Sequence, residues 1–254
     1  MTFIESTFLL TIALFAGMLT LLEIGRRLGG RRAHDDGGRA GLTAVEGAVF
    51  GLFGLLVAFT FSGASARFET RRALVVEEAN AIGTAWLRVD LLPEAAQANL
   101  RPRFRSYVDS RLAIYREFAE TGQVRDTLTH SNTLQLELWH AAVAATAGLP
   151  QPTMLLLPAM NHMIDLTTTR TMATRFHQPR VIFVILFALA LLTSLLAGYG
   201  MAGTRRQRWL HMLGFALITS AAFFVILDLE YPRLGLIRVD SADRVLYELR
   251  ASMD

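Results

Sequence analysis

Three carboxylates border apolar runs of the sequence: Glu46 opens one run, and Asp228 and Glu230 close another. A carboxylate in hydrocarbon costs at least a few kcal/mol, so such groups turn to water, to a protein interior or to a partner. They fit either a ring that draws cations to a pore entrance or ordinary helix-end carboxylates that water reaches. The run that Glu46 opens is followed by Arg67, Arg71 and Arg72, which would attract anions instead. Residue types alone therefore leave the sign of an attracted ion open. One to two helical turns further on, Glu77, Glu78 and Asn80 offer partners, and the spacing from Arg72 to Glu78 permits a helix-surface or interhelical ion pair. His162, Asp165 and His177 are the residue types of a metal site, but they lack the four-residue spacing that puts two histidines on one helical face. Asp165 is assigned instead to a polar network with Arg170. There is no glycine-rich phosphate loop, no G-x-S-x-G elbow, no H-E-x-x-H and no thiol, and GRRLGGRR follows no strand. We therefore expect no enzyme, no metal and no cofactor.

The elements that hold these residues are written in the hydropathy. Of 254 residues, 52 % are hydrophobic, and the mean hydropathy is +0.36. The excess collects in four nearly uncharged stretches, Phe3–Gly25, Val45–Ala66, Val181–Ala202 and Trp209–Leu229. Each has the ~20 residues that cross ~30 Å of hydrocarbon as a helix. Met1 to Thr7 carries Glu5 and no basic residue, so the first stretch reads as a retained span and not as a cleaved signal. The absence of cysteine excludes disulfides and thiolate metal sites. Every basic residue is arginine, and a net charge of +3 is too small to suggest nucleic acid.

The expected fold is all-α: a polytopic membrane protein with four transmembrane helices and an inserted helical domain. Residues 1–66 form a first hairpin, 67–178 the polar domain, 179–230 a second hairpin and 231–254 a tail. In the polar domain, apolar residues recur every three or four positions, as at Phe104, Tyr107, Val108, Leu112 and Tyr115. Helices are expected over 67–91, 94–119, 125–147 and 153–177, divided at Pro93, at Thr121-Gly122 and at the Gly148-Leu-Pro-Gln-Pro run. No Pro interrupts 67–91, so span two should continue out of the membrane as one helix. Repeated glycines should break the helix in the basic loop after span one. Eight arginines in the two short loops place those loops in the cytoplasm, and both termini and the polar domain in the periplasm.

Val45 to Asp90 resembles the second membrane helix of the bestrophin ion channels and its extension, through Thr60, Ser62 and Ser65, the pair Arg67-Phe68, and then Arg71 and Arg72. LDLEYPRLGLIRVD resembles the segment that follows the last bestrophin membrane helix, through Asp228, Glu230, Pro232, Gly235 and Asp240. Most of the chain is similar to a bacterial bestrophin-like family of unknown function, through EGAVFGLFGLLVAFTFSGASARF, VEEANAIGTAWLRVDLLP, IDLTTTR and LDLEYPRLGLIR. The resemblance implies a homo-oligomer, a pentamer, in the bacterial inner membrane, in contact with lipids and passing small inorganic ions. Its second helices would line the pore, with Leu55 and Phe59 at an apolar neck and Glu46, Gly51, Ser62 and Arg67 along the lining or entrance. A neck of apolar side chains can gate by dewetting. Read from the residues alone, Leu55 and Phe59 equally fit packing against other spans or lipid. Gly47, Gly51 and Gly54 suit close helix approach, between copies or within one subunit. A non-conducting scaffold or sensor, whose helical domain binds a partner or ligand, is the alternative.

Overall fold

A computed structural model describes residues 3–31, 39–121, 125–201 and 208–254. Most of the basic loop after span one, the break at Gly122 and most of the GTRRQR turn lie outside the described residues. Among the described residues eight α-helices follow one another: α1 (Phe3–Arg31), α2 (Arg39–Arg88), α3 (Glu94–Thr121), α4 (Arg125–Thr146), α5 (Pro150–Arg175), α6 (Arg180–Gly200), α7 (Arg208–Glu230) and α8 (Asp240–Ala251), with one 3-10 turn over Val89–Leu91. No strand occurs among the described residues. Apolar stretches long enough to cross a membrane lie within Ile4–Gly30, Ala44–Leu91, Pro150–Gly200 and Trp209–Glu230, carried by α1, α2, α6 and α7. The chain is an all-α protein with four membrane-spanning helices. Its contacts divide it into two compact units, residues 1–66 with 177–236 and residues 67–176 with 237–254.

In the first unit, Leu14, Met18 and Leu22 of α1 meet Leu186 and Ala190 of α6, and Phe53, Met212, Ala216 and Phe223 complete the buried cluster. Phe223 anchors an aromatic cluster, its ring 4.9 Å from Phe187 edge to face and 6.4 Å from Phe53 in a stacked pair. Gly25, Gly29 and Gly30 do not end α1, which runs on to Arg31, and Gly37 and Gly38 of the same loop lie outside the described residues. A helical Gly costs about 1 kcal/mol relative to Ala, and here close packing offsets it. A Cβ at Gly25 would overlap the backbone of Leu195, and one at Gly198 would overlap the backbone of Leu22. These two glycines let α1 and α6 touch backbone to backbone, the approach that small residues permit between membrane helices.

The second unit wraps the C-terminal part of α2 with α3, α4, α5 and α8. Its core runs through Leu74, Ile82, Phe104, Tyr107, Val108, Leu138, Met160 and Met163. The expected breaks appear with local causes. Pro93 precedes α3. Gly148 takes φ +78°, the left-handed conformation that ends α4. Pro150 then opens α5 at its first turn, where no amide hydrogen is required. α8 has no counterpart among the sequence expectations, which left 231–254 as a tail. Its apolar positions nevertheless recur with helical spacing, and Val239, Ala242, Leu246 and Met253 are buried.

Candidate functional site

α2 carries most of the singled-out residues, and its 50 residues form one helix. In the first unit its inward side is Phe53, Thr60 and Ala64, all buried. Thr60 turns its hydroxyl back to the Leu56 carbonyl at 2.8 Å, which satisfies it without a partner helix. The opposite side is bare: Leu55 is 51 % exposed and Phe59 65 %, and Gly51 and Ser62 are exposed beside them. A Cβ on Gly47, Gly51 or Gly54 would meet nothing within 4 Å, so these glycines do not serve packing within this unit. Only 11 % of the apolar window of α2 is buried, against 22–28 % for the other three spans. α2 is thus the span least covered by its own chain.

Glu46 does not share that bare side. It lies nine residues before Leu55, about 180° around the helix, and is half-buried. Its Oε2 lies 3.2 Å from where a Cβ of Gly200 would stand. At the end of α7, Asp228 and Glu230 are buried at 2 % and 1 % exposure and are engaged by backbone. Asp228 Oδ1 accepts the Leu236 amide at 2.8 Å, and Glu230 Oε1 accepts the Gln178 amide at 2.7 Å. His177 stacks on Tyr231 at 4.5 Å with Nδ1 3.6 Å from Glu230. Gly235 sits so close to the Asp228 carboxylate that any Cβ would collide with it. The turn after α7 is therefore folded around its own acids.

In the second unit the three arginines diverge. Arg71 is buried, donating to the carbonyls of Ala173 at 3.0 Å and Phe176 at 2.8 Å, where it caps the C-terminus of α5. Arg72 is exposed, 3.9 Å from Glu69 one turn earlier, and Arg67 is half-buried. Glu77 and Asn80 are exposed, while Glu78 is fully buried.

Glu78 is the centre of an ionic cluster that sequence reasoning saw only in part. Arg111 of α3 donates from Nε to Glu78 Oε1 at 2.6 Å. Arg170 of α5 donates to the other carboxylate oxygen of Glu78 and to Asp243 of α8 at 3.3 Å. Nearby, the Tyr107 hydroxyl lies 2.9 Å from that of Thr167. Asp165, the expected partner of Arg170, is exposed on α5, because five residues of helix turn it to the far side. Likewise Glu78 pairs across helices and not with Arg72, six residues back. Arg111 and Asp243 were missed, although Arg111 continues the apolar seam Phe104-Tyr107-Val108, a position where a charge must find a buried partner. Among the described contacts, two guanidiniums and two carboxylates meet here.

Burial is the largest influence on the Glu78 carboxyl and pushes its pKa up, but the Arg111 and Arg170 guanidiniums together outweigh it and hold it down at about 2, against an ordinary 4.5. A depressed carboxylate stabilises the fold above its unfolded pKa, and that contribution fades as pH falls toward the folded one. Thermal melts of the purified protein should therefore lose about 3 kcal/mol of stability between pH ~4.5 and ~2 from this group. In Glu78→Gln that part of the acid dependence should be gone, and an unchanged profile would refute the assignment.

No group of three or more His, Asp or Glu able to hold a metal occurs among the described residues. His162 and Asp165 are exposed on α5. Residues 12–243 match the family model of the bestrophin-like domain.

The chain belongs to the bestrophin-like family. No curated protein and no solved structure matches it. With four apolar helices long enough to span a bilayer, it is a bestrophin-like membrane protein. The bare side of α2, the acid-centred turn after α7 and the Glu78 cluster all fall within the matched region of this bestrophin-like chain, apart from the far end of α8.

Proposed function

We propose that this bestrophin-like protein is a non-enzymatic ion channel, a homo-oligomer in the manner of a pentamer. It needs no cofactor, and its second helix lines a pore for small monovalent ions across the bacterial inner membrane, with the polar domain on the periplasmic side by the charge rule. The observation that carries this reading is the bare side of α2. A span of high hydropathy with 11 % of its apolar window buried leaves Leu55 and Phe59 without partners in their own unit, and glycines beside them open to space. Large apolar surfaces left open in one copy mark places where other copies, lipid or a lumen must lie. Leu55 and Phe59, four residues apart, share one side of the helix. Repeated around an axis, they would form a constriction that passes ions when wetted and blocks them when dry.

The test is reconstitution of the purified full chain in planar bilayers. Wild type should pass current, and Leu55→Ala and Phe59→Ala should each raise the conductance or open fraction several-fold by weakening the dewetted barrier. Absence of current in wild type and both variants would favour the scaffold reading, and a current indifferent to both substitutions would remove the neck from α2.

A further inference from the structure

We propose that Met154, in the second unit, is a site of reversible oxidation, the thioether through which hypochlorous acid acts on this protein. The proposal does not depend on the pore reading. With nine methionines and no cysteine, the chain offers such an oxidant thioethers alone as sulfur groups. Which of them reacts follows exposure, and the fold sorts them. In the second unit Met160, Met163 and Met253 are buried, Met172 is 41 % exposed and Met154 76 %. In the first unit Met18 and Met212 are buried and Met201 is half-buried. The local cause is the turn before α5. Gly148 and Pro150 set where the helix starts, and Leu156 then faces the core. Met154, two residues earlier and about 200° around the helix, is left pointing out.

The surroundings give the reaction a consequence. Gly148, Leu149, Pro150, Thr153 and Met154 line an open pocket, and no Asp, Glu, Lys or Arg lies between Glu137 and Asp165. Pro150 has no amide hydrogen. Thr153 spends its amide on the Leu149 carbonyl at 3.0 Å and turns its hydroxyl to the carbonyls of Leu149 at 2.7 Å and Thr146 at 3.1 Å. In the reaction the Met154 sulfur gives up an electron pair and gains an oxygen, while hypochlorous acid is reduced to chloride and a proton passes to water. The sulfoxide is a polar acceptor where a flexible apolar group stood. Neither Pro150 nor Thr153 has a donor to spare for it, so water solvates it and one wall of an uncharged pocket becomes polar. Exposure also admits the reverse step, in which the thiol pair of a methionine sulfoxide reductase removes that oxygen as water and is left as a disulfide.

Peptide mass mapping of the full-length protein in vesicles of saturated phosphatidylcholine, after sub-stoichiometric hypochlorous acid, tests this. Met154 should gain oxygen at least about tenfold faster than Met160, Met163 and Met253, with Met172 between them. In denaturant all of these should react alike, which ties the difference to the fold. Added methionine sulfoxide reductase should return Met154 to the thioether. In Met154→Leu, a swap that conserves volume and apolar character, oxidation of the second unit should fall by more than about half, and the remainder should lie at Met172. Oxidation spread evenly over the methionines of the native protein overturns the proposal. So does a Met154 spared in the vesicles, which would mean that another copy or lipid covers it, and so does a sulfoxide that the reductase leaves in place.

Discussion

Glu78→Ala is expected to destabilise the second unit by about 3–5 kcal/mol, the range for removing one partner from a buried ion pair. Arg111 and Arg170 are 1 % and 4 % exposed, and without Glu78 their guanidiniums lose a carboxylate that accepts from both. Water cannot take its place without opening the core that Tyr107, Phe104 and Met163 close. Asp243 stays beside Arg170, but the acid that joins the two guanidiniums is gone. Trp86 is buried in this core, 6.0 Å from Phe104, so a red shift of tryptophan emission at lowered temperature reports the loss. Arg111→Ala should cost a similar amount, because it removes a buried cation that donates directly to Glu78. Coupling between the two is the sharper measure: the double variant should cost clearly less than the sum of the single ones. Additive losses, or a loss below about 1 kcal/mol for Glu78→Ala, would show that the cluster is not a unit.

Gly198→Val is the second large effect expected, in the first unit. A Cβ at this position overlaps the Leu22 backbone, and backbone, unlike the end of a flexible side chain, cannot swing aside. Overpacking costs about 1–3 kcal/mol where side chains can adjust, so separation of α1 from α6 should reach or exceed ~3 kcal/mol. Gly25→Val should behave alike, since its Cβ meets Leu195. Gly54→Ala supplies the contrast. Its Cβ meets nothing within 4 Å, and helix propensity favours Ala by about 1 kcal/mol. The monomer fold should be unharmed or slightly stabilised, while weakened assembly in cross-linking would locate a subunit contact at Gly54. Melts in detergent and cross-linking yields separate the two cases, and equal tolerance of Gly198→Val and Gly54→Ala would contradict the close α1–α6 contact.

Legibility of the site differed from residue to residue. Glu78 stood out as an acid in a segment of helical periodicity, but its partners did not, because they come from α3 and α5, 33 and 92 residues away. Glu46 looked like an entrance residue from its place at the start of a span, yet its angular position relative to Leu55 turns it toward Gly200. Glu77 and Glu78 are neighbours of one chemical type, and one is exposed while the other is fully buried. Only the direction each takes from the helix axis separates their surroundings.

Hydropathy and periodicity are local properties, and what depends on them was determined by the sequence alone: an all-helical chain, four spans, and a second span that runs on without a break because no Pro lies between Arg67 and Leu91. The tertiary structure decided what depends on distance between elements. It chose Arg111, Arg170 and Asp243 as the company of Glu78, gave the close helix contact to Gly25 and Gly198, docked α8 by its apolar side, and left one side of α2 bare. The physical reason is that a buried charge or a missing side chain acquires its energy from whatever another helix places within a few ångströms of it, and spacing along one helix does not carry that information.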